Sequence, residues 1–243
     1  MPAPVPVPAP VPVRVPVRVP VPVRVPVRVP VLVAVAGAGV AVLLAGCGGL
    51  EQANAAGVTP GDLVSEVATR LGTPGPAGTA TYRVAGGETA QVTRSLSPDR
   101  TAYDYPGGRL IRTSAAVTNC AADVCTATDP ADGVTLPKES GLVTDAQVVA
   151  LLEAAAIDSY PEVAQRDTTL AGRNATCLAL TGVQSAEASA FDVCVTGEGT
   201  LASFRGTLGG AEVDVVLTDY ATTAAERDFQ VPSGARLVDR RGD

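Results

Sequence analysis

From residue 174 to residue 219 the chain alternates apolar and polar residues between glycine turns, and this period-two pattern limits it to a sheet that has one face covered. Val213, Val215 and Leu217 point one way, and Glu212, Asp214 and Thr218 the other. Four consecutive strands are expected over 174–181, 190–195, 199–208 and 211–219, joined by turns such as Gly197-Glu198-Gly199 and Gly209-Gly210. The same alternation occurs earlier. Ala80, Tyr82 and Val84 share one side of a strand, and Ala90, Val92 and Leu96 one side of the next, with Thr89, Gln91 and Thr93 opposite. Two more strands are expected over 100–105 and 109–118, separated by Pro106-Gly107-Gly108. Sequential hairpins of this kind give an antiparallel sheet, and two helical segments are available to cover it.

The first helix opens at Thr59-Pro60-Gly61-Asp62. Thr59 can cap, Pro60 suits the first turn, and Asp62 completes a capping box. Val64, Val67, Ala68 and Leu71 form its apolar stripe, and Gly72 with Pro74 ends it. The second helix begins with the capping box of Thr144 and Gln147 and a Val143–Val148 staple, and it continues through Leu151, Leu152 and Ala155 to about Ala156.

Upstream of this body, Leu44-Ala45-Gly46-Cys47 closes an apolar run from Val31 to Ala45 and resembles the lipobox of bacterial lipoproteins. That resemblance implies cleavage before Cys47 and acylation of its sulfur, which would place the body on the extracytoplasmic face of the cell membrane. The run is shorter than the roughly 20 residues of a membrane-spanning helix. Arg14, Arg18, Arg24 and Arg28 precede it with no acidic residue before Glu51, as in a signal peptide. Residues 1–30 are a low-complexity tract of Val, Pro and Arg. Its prolines exclude a helix or a central strand, so it is expected to be extended or disordered. Met1 is the only methionine, which suggests that translation starts further in. The expected organisation is therefore the tract at 1–30, the signal region and lipobox at 31–46, Cys47 and a tether to residue 58, and one domain over 59–243.

Charge and cysteine content narrow the function classes. The whole chain carries a formal −7, and losing the four leader arginines makes the remainder −11, which disfavours nucleic acid as a partner. Beyond Cys47 there are four cysteines, Cys120, Cys125, Cys177 and Cys194, an even number that suits disulfides in an exported protein. Three pairings are possible. Proximity and strand pattern favour Cys120–Cys125 across the turn Ala121-Ala122-Asp123-Val124, and Cys177–Cys194 across neighbouring strands. The chain has no histidine and no C-x2-C spacing, so no zinc site or cofactor is expected, and the Cys120/Cys125 spacing differs from a C-x-x-C redox motif.

Catalysis is not expected either. Ser-His-Asp and Cys-His arrangements are unavailable, and Lys138 with Ser140 reads as a solvated linker. Asp129, Asp132 and Gly133 lack the full calcium-loop pattern, and Arg241-Gly242-Asp243 reads as a charged tail. The eight aromatic residues, Tyr82, Tyr103, Tyr105, Phe191, Phe204 and Phe229 among them, read first as core or strand residues, so small aliphatic residues would line any interior.

A wider resemblance rests on the order of these parts. The lipobox, the helix, a four-strand meander and an alanine-rich helix come first. They are followed by Ala171-Gly172-Arg173-Asn174-Ala175-Thr176-Cys177, Phe191-Asp192-Val193-Cys194 and the closing Asp228-Phe229-Gln230-Val231-Pro232-Ser233-Gly234-Ala235. Together these resemble actinobacterial lipoproteins of the LolA-like superfamily, the LppX- and LprG-like group. The resemblance implies an α+β fold in which a curved antiparallel half-barrel packs on helices, and an apolar cavity that holds acyl chains of lipids. It transfers no ligand-contact residue. Alternation alone is equally compatible with an envelope interaction or sensor module whose core is filled.

Overall fold

The computed structural model describes residues 59–242 except 132 and 160. The Val-Pro tract, the leader, the lipobox residues Leu44, Ala45, Gly46 and Cys47, and the tether lie outside the described residues.

Helix α1 (Pro60–Gly72) starts as its sequence requires. The Thr59 hydroxyl accepts the Asp62 amide at 3.2 Å, and the Asp62 carboxylate accepts the Thr59 amide at 2.9 Å. Six strands follow as a meander: β1 (Gly78–Arg83), β2 (Thr89–Leu96), β3 (Asp99–Tyr105), β4 (Gly108–Thr113), β5 (Val117–Ala121) and β6 (Val124–Thr128). Helix α2 (Asp145–Ile157) has the reciprocal Thr144–Gln147 box, with Val143 and Val148 both buried beside it. A second meander, β7 (Glu162–Leu170), β8 (Arg173–Thr181), β9 (Ala190–Thr196), β10 (Leu201–Leu208) and β11 (Ala211–Ala221), precedes the short β12 (Arg236–Asp239).

The strands form one sheet in the order β12-β6-β5-β4-β3-β2-β1-β11-β10-β9-β8-β7, antiparallel except where β12 runs parallel to β6. Register shifts at Thr81/Tyr82 and Leu201/Ser203 help to curl it. The result is the α+β half-barrel packed on helices that the sequence implied.

The concave face holds the main core. Val64, Val67 and Leu71 of α1 and Val148, Leu151 and Leu152 of α2 meet Ala80, Tyr82, Leu110, Leu178, Val193, Phe204 and Val215. Phe191 and Phe204 stack with centroids 6.0 Å apart. Gly199, at φ +83°, lets the β9–β10 turn approach α1 so closely that a Cβ there would sit 2.6 Å from the Arg70 carbonyl oxygen.

Several expectations are corrected. Residues 109–118 form two strands, because the Thr113 hydroxyl accepts the amides of Ala115 and Ala116 and turns the chain between them. β6 was not expected either, so the first meander has six strands, not four. β7 and β12 were likewise not expected: both are edge strands with mostly exposed residues, which need no apolar alternation. The sheet is also covered on more than one face. Thr93, assigned to the polar side of β2, is 2% exposed, and across the same convex face Phe229 buries itself against Ala102 and Ile111. The segment that carries Phe229 runs into β12 and straps the outside of β2–β6. Arg100 lies over the Phe229 ring at 4.4 Å, and Arg109 donates to the Gln230 carbonyl.

Candidate binding groove

The helices fill only part of the hollow. A partly enclosed cavity of about 30 Å³ lies among residues such as Ala80, Tyr82, Val92, Leu142 and Leu201. That is room for a water molecule or so. Beside it, the concave face of β2–β4 is left bare as an open groove of about 590 Å³. Arg94, Leu96, Thr101, Tyr103 and Arg112 form its floor. Leu71 and Gly72 at the end of α1, Thr73 and Pro74 after it, and Ala146, Val149 and Glu153 of α2 line its side, and Gly133 and Val134 complete the lining. Leu96 was expected to be covered with Ala90 and Val92, yet it is 49% exposed because neither helix reaches over this end of β2.

Arg94, Tyr103 and Asp145 line both the cavity and the groove, so they form the partition between them. Arg94 donates to the Asp145 carboxylate at 2.5 Å, joining β2 to the first turn of α2. Burial disfavours the Arg94 charge, but Asp145, with smaller help from Tyr103 and Tyr82, outweighs it and raises the guanidinium above its ordinary value. Burial, reinforced by the negative charge of Asp145 and opposed by Arg94 and Arg112, leaves the Tyr103 phenol pushed up to about 12. Tyr82 is raised further by burial, and its hydroxyl donates to the Leu201 carbonyl at 2.9 Å. Arg112 donates to Asp99 at 2.9 Å. The groove therefore carries two half-buried guanidiniums, each paired with a lining carboxylate, Asp145 or Asp99, together with Glu153, apolar side chains and a neutral phenol.

The residues singled out in the sequence lie elsewhere. Cys120 and Cys125 face each other across the β5–β6 hairpin with sulfurs 2.07 Å apart, and Cys177 and Cys194 do so across β8 and β9 at 2.08 Å. Their register puts both pairs on the convex face, opposite the side of Leu110 and Leu178. They brace the sheet and do not enter the groove. Lys138 donates to the Gly209 carbonyl, while the Ser140 hydroxyl accepts the Leu142 amide, so each serves a separate turn. Asp129 accepts the Gly242 amide and Arg241 pairs with Asp239, while Asp132 lies outside the described residues. Among the described residues no group of three His, Cys, Asp or Glu side chains could hold a metal ion, and no helix is long and apolar enough to cross a membrane.

No motif or spacing in the sequence marks Arg94, Thr101 and Arg112, which line the groove. Parity alone gives a signal: Arg94 has the same strand parity as Ala90 and Val92, which puts a cation on an otherwise apolar side.

No protein-family model and no curated protein matches the chain. Several solved structures are similar in shape. An uncharacterised conserved protein from Thermus thermophilus matches 73% of this chain and 99% of its own at 14% identity, TM-score 0.47. A structure of the Pseudomonas aeruginosa MucA/MucB complex matches 73% of this chain at 15% identity, TM-score 0.44, and this chain spans only 62% of its length. A DUF1329 family protein from Desulfovibrio piger matches 71% of this chain and 98% of its own at 8% identity, TM-score 0.31. These are likenesses of shape, and no ligand or partner is drawn from them.

Proposed function

We propose that the chain is a lipoprotein of the LppX- and LprG-like group within the LolA-like superfamily, anchored through Cys47 on the extracytoplasmic face of the cell membrane. In this reading its role is binding, not catalysis, and it holds a lipid-like amphiphile in the open groove instead of an enclosed tunnel. One contrast carries the reading: about 590 Å³ of partly apolar groove stands open beside only about 30 Å³ in the more sheltered cavity between sheet and helices. The larger volume lies within the range of small-molecule sites, roughly 300–1,000 Å³, and the smaller does not. Leu71, Leu96, Tyr103, Val134 and Val149 offer an alkyl chain apolar contact, and the open side lets it enter and leave without unfolding the core.

The filled core also favours a second reading, an envelope interaction or sensor module that grips a segment of another protein and carries no small molecule. One experiment separates the two. The chain is purified from its native membrane as wild type and as Val149→Trp, which fills the groove, and both are weighed by native mass spectrometry. The first reading expects one amphiphile on the wild type and none on the variant. A bare wild-type chain that crosslinks to an envelope protein, with the crosslink lost in Val149→Trp, would replace it with the second.

A further inference from the structure

We infer that the groove has a head-group end: Arg94, Thr101 and Arg112 form a row that receives the carboxylate or phosphate of a single-chain anionic amphiphile. This inference rests on the amphiphile-binding reading above and specifies its ligand. The row follows from strand register. Arg94 pairs with Thr101 across β2 and β3, and Thr101 pairs with Arg112 across β3 and β4. Directly opposed residues in neighbouring antiparallel strands point to the same face, here the concave one. Each step is about 4.8 Å, so the two arginines stand roughly 10 Å apart at the backbone with a hydroxyl between them. All three line the groove.

Hydrogen-bond capacity points the same way. A guanidinium has five N–H donors in a planar fork. Arg94 uses Nη2 on Asp145 and Arg112 uses Nη2 on Asp99, and among the described residues neither donates a second hydrogen bond. The side chains of Arg94 and Arg112 are 22% and 29% exposed, so the unused donors are reachable from the groove. A two-oxygen anion fits such a fork, and a hydrogen bond between two charged groups is stronger than one between neutral groups. Asp99, 60% exposed, is the weaker competitor for its arginine and yields first. Thr144, Asp145 and Ala146 bring the N-terminal end of the 13-residue helix α2 to the same groove, adding its positive dipole. Leu96 and Tyr103 on the floor and Val134 and Val149 on the walls then take the alkyl chain.

The test titrates the chain carrying Cys47→Ala, which removes a competing acyl anchor, with dodecyl phosphate, laurate and methyl laurate by calorimetry below their micelle concentrations. The row predicts that both anions bind at least tenfold tighter than the uncharged ester, and that salt narrows the gap. Arg112→Gln and Arg94→Gln should each remove most of that preference while leaving the ester's Kd unchanged. If Arg94→Gln loosens α2, seen as a lower Tm, Arg112→Gln decides the matter, since its partner Asp99 is the exposed first residue of β3 and ties no helix to the sheet. Equal binding of anions and ester, or an anion preference that survives Arg112→Gln, overturns the head-group assignment and leaves the groove reading standing. Binding of none of the three overturns the groove reading itself.

Discussion

Replacing Phe229 with Ala tests whether the C-terminal segment is a structural strap. Phe229 is 8% exposed and packs against Ala102 and Ile111 on the convex face. Above the ring lies the Arg100 guanidinium, held by two hydrogen bonds to Glu226 at 2.6 and 2.9 Å. Phe→Ala in a core costs about 3–5 kcal/mol, and this site belongs at the low end because its cluster is small and open on one side. About 0.5–1 kcal/mol of the loss comes from the cation–π contact. A total near 3 kcal/mol is a large part of the 5–15 kcal/mol typical of a domain. The loss should also be local. The 3-10 turn Glu226–Phe229 holds the segment that delivers β12 to β6, so its release should free that edge first. Urea unfolding should show the lower midpoint, and hydrogen exchange should show lost protection at β12 and along β6. A loss under about 1 kcal/mol with β12 still protected would refute the reasoning.

The remaining predictions concern the anchor, a disulfide and acid. Cys47→Ala should release the protein from the membrane fraction without lowering its Tm, because each acyl methylene contributes about 0.8 kcal/mol to membrane binding and none to the fold; retained label from palmitate would contradict this. Cys177→Ser should lower stability by roughly 3 kcal/mol in non-reducing buffer and leave one titratable thiol, whereas equal melting with and without reductant in the wild type would argue against the bridge. Hydrogen bonds from Thr59 hold Asp62 below its usual 3.8, and hydrogen bonds, chiefly a backbone one for Glu198 and the Arg100 contact for Glu226, hold those two below 4.5. Depressed carboxylates stabilise the folded chain fully above their unfolded values and less as pH falls through the folded ones. The Tm should therefore be flat above about pH 5 and decline below about 4.5, and a Tm that rises on acidification would be contrary.

Much of the fold was legible because local rules and packing agree over most of the chain. Both capping boxes lie where Thr59-x-x-Asp62 and Thr144-x-x-Gln147 placed them, and the inward residues of β1 and β8–β11 follow their alternation. Failures occurred where local pattern carries no core signal. β7 reads as polar because it is an edge, and β4 merged with β5 because no glycine or proline marks the turn that Thr113 makes. The groove was illegible for a different reason. Whether a helix covers Leu96 depends on where α1 and α2 end relative to β2, which is a property of tertiary packing. Only Arg94, charged among inward neighbours, announced it.

The most direct test of the account is to learn where an alkyl chain touches the protein. Laurate carrying a diazirine near its methyl end, photolysed on the full chain and mapped by peptide mass spectrometry, should mark the 94–103 and 144–153 segments and lose that mark in Val149→Trp. Labelling confined to the convex face around Cys177 and Cys194, or unchanged in the filled variant, would contradict a ligand site in the bare half of the barrel.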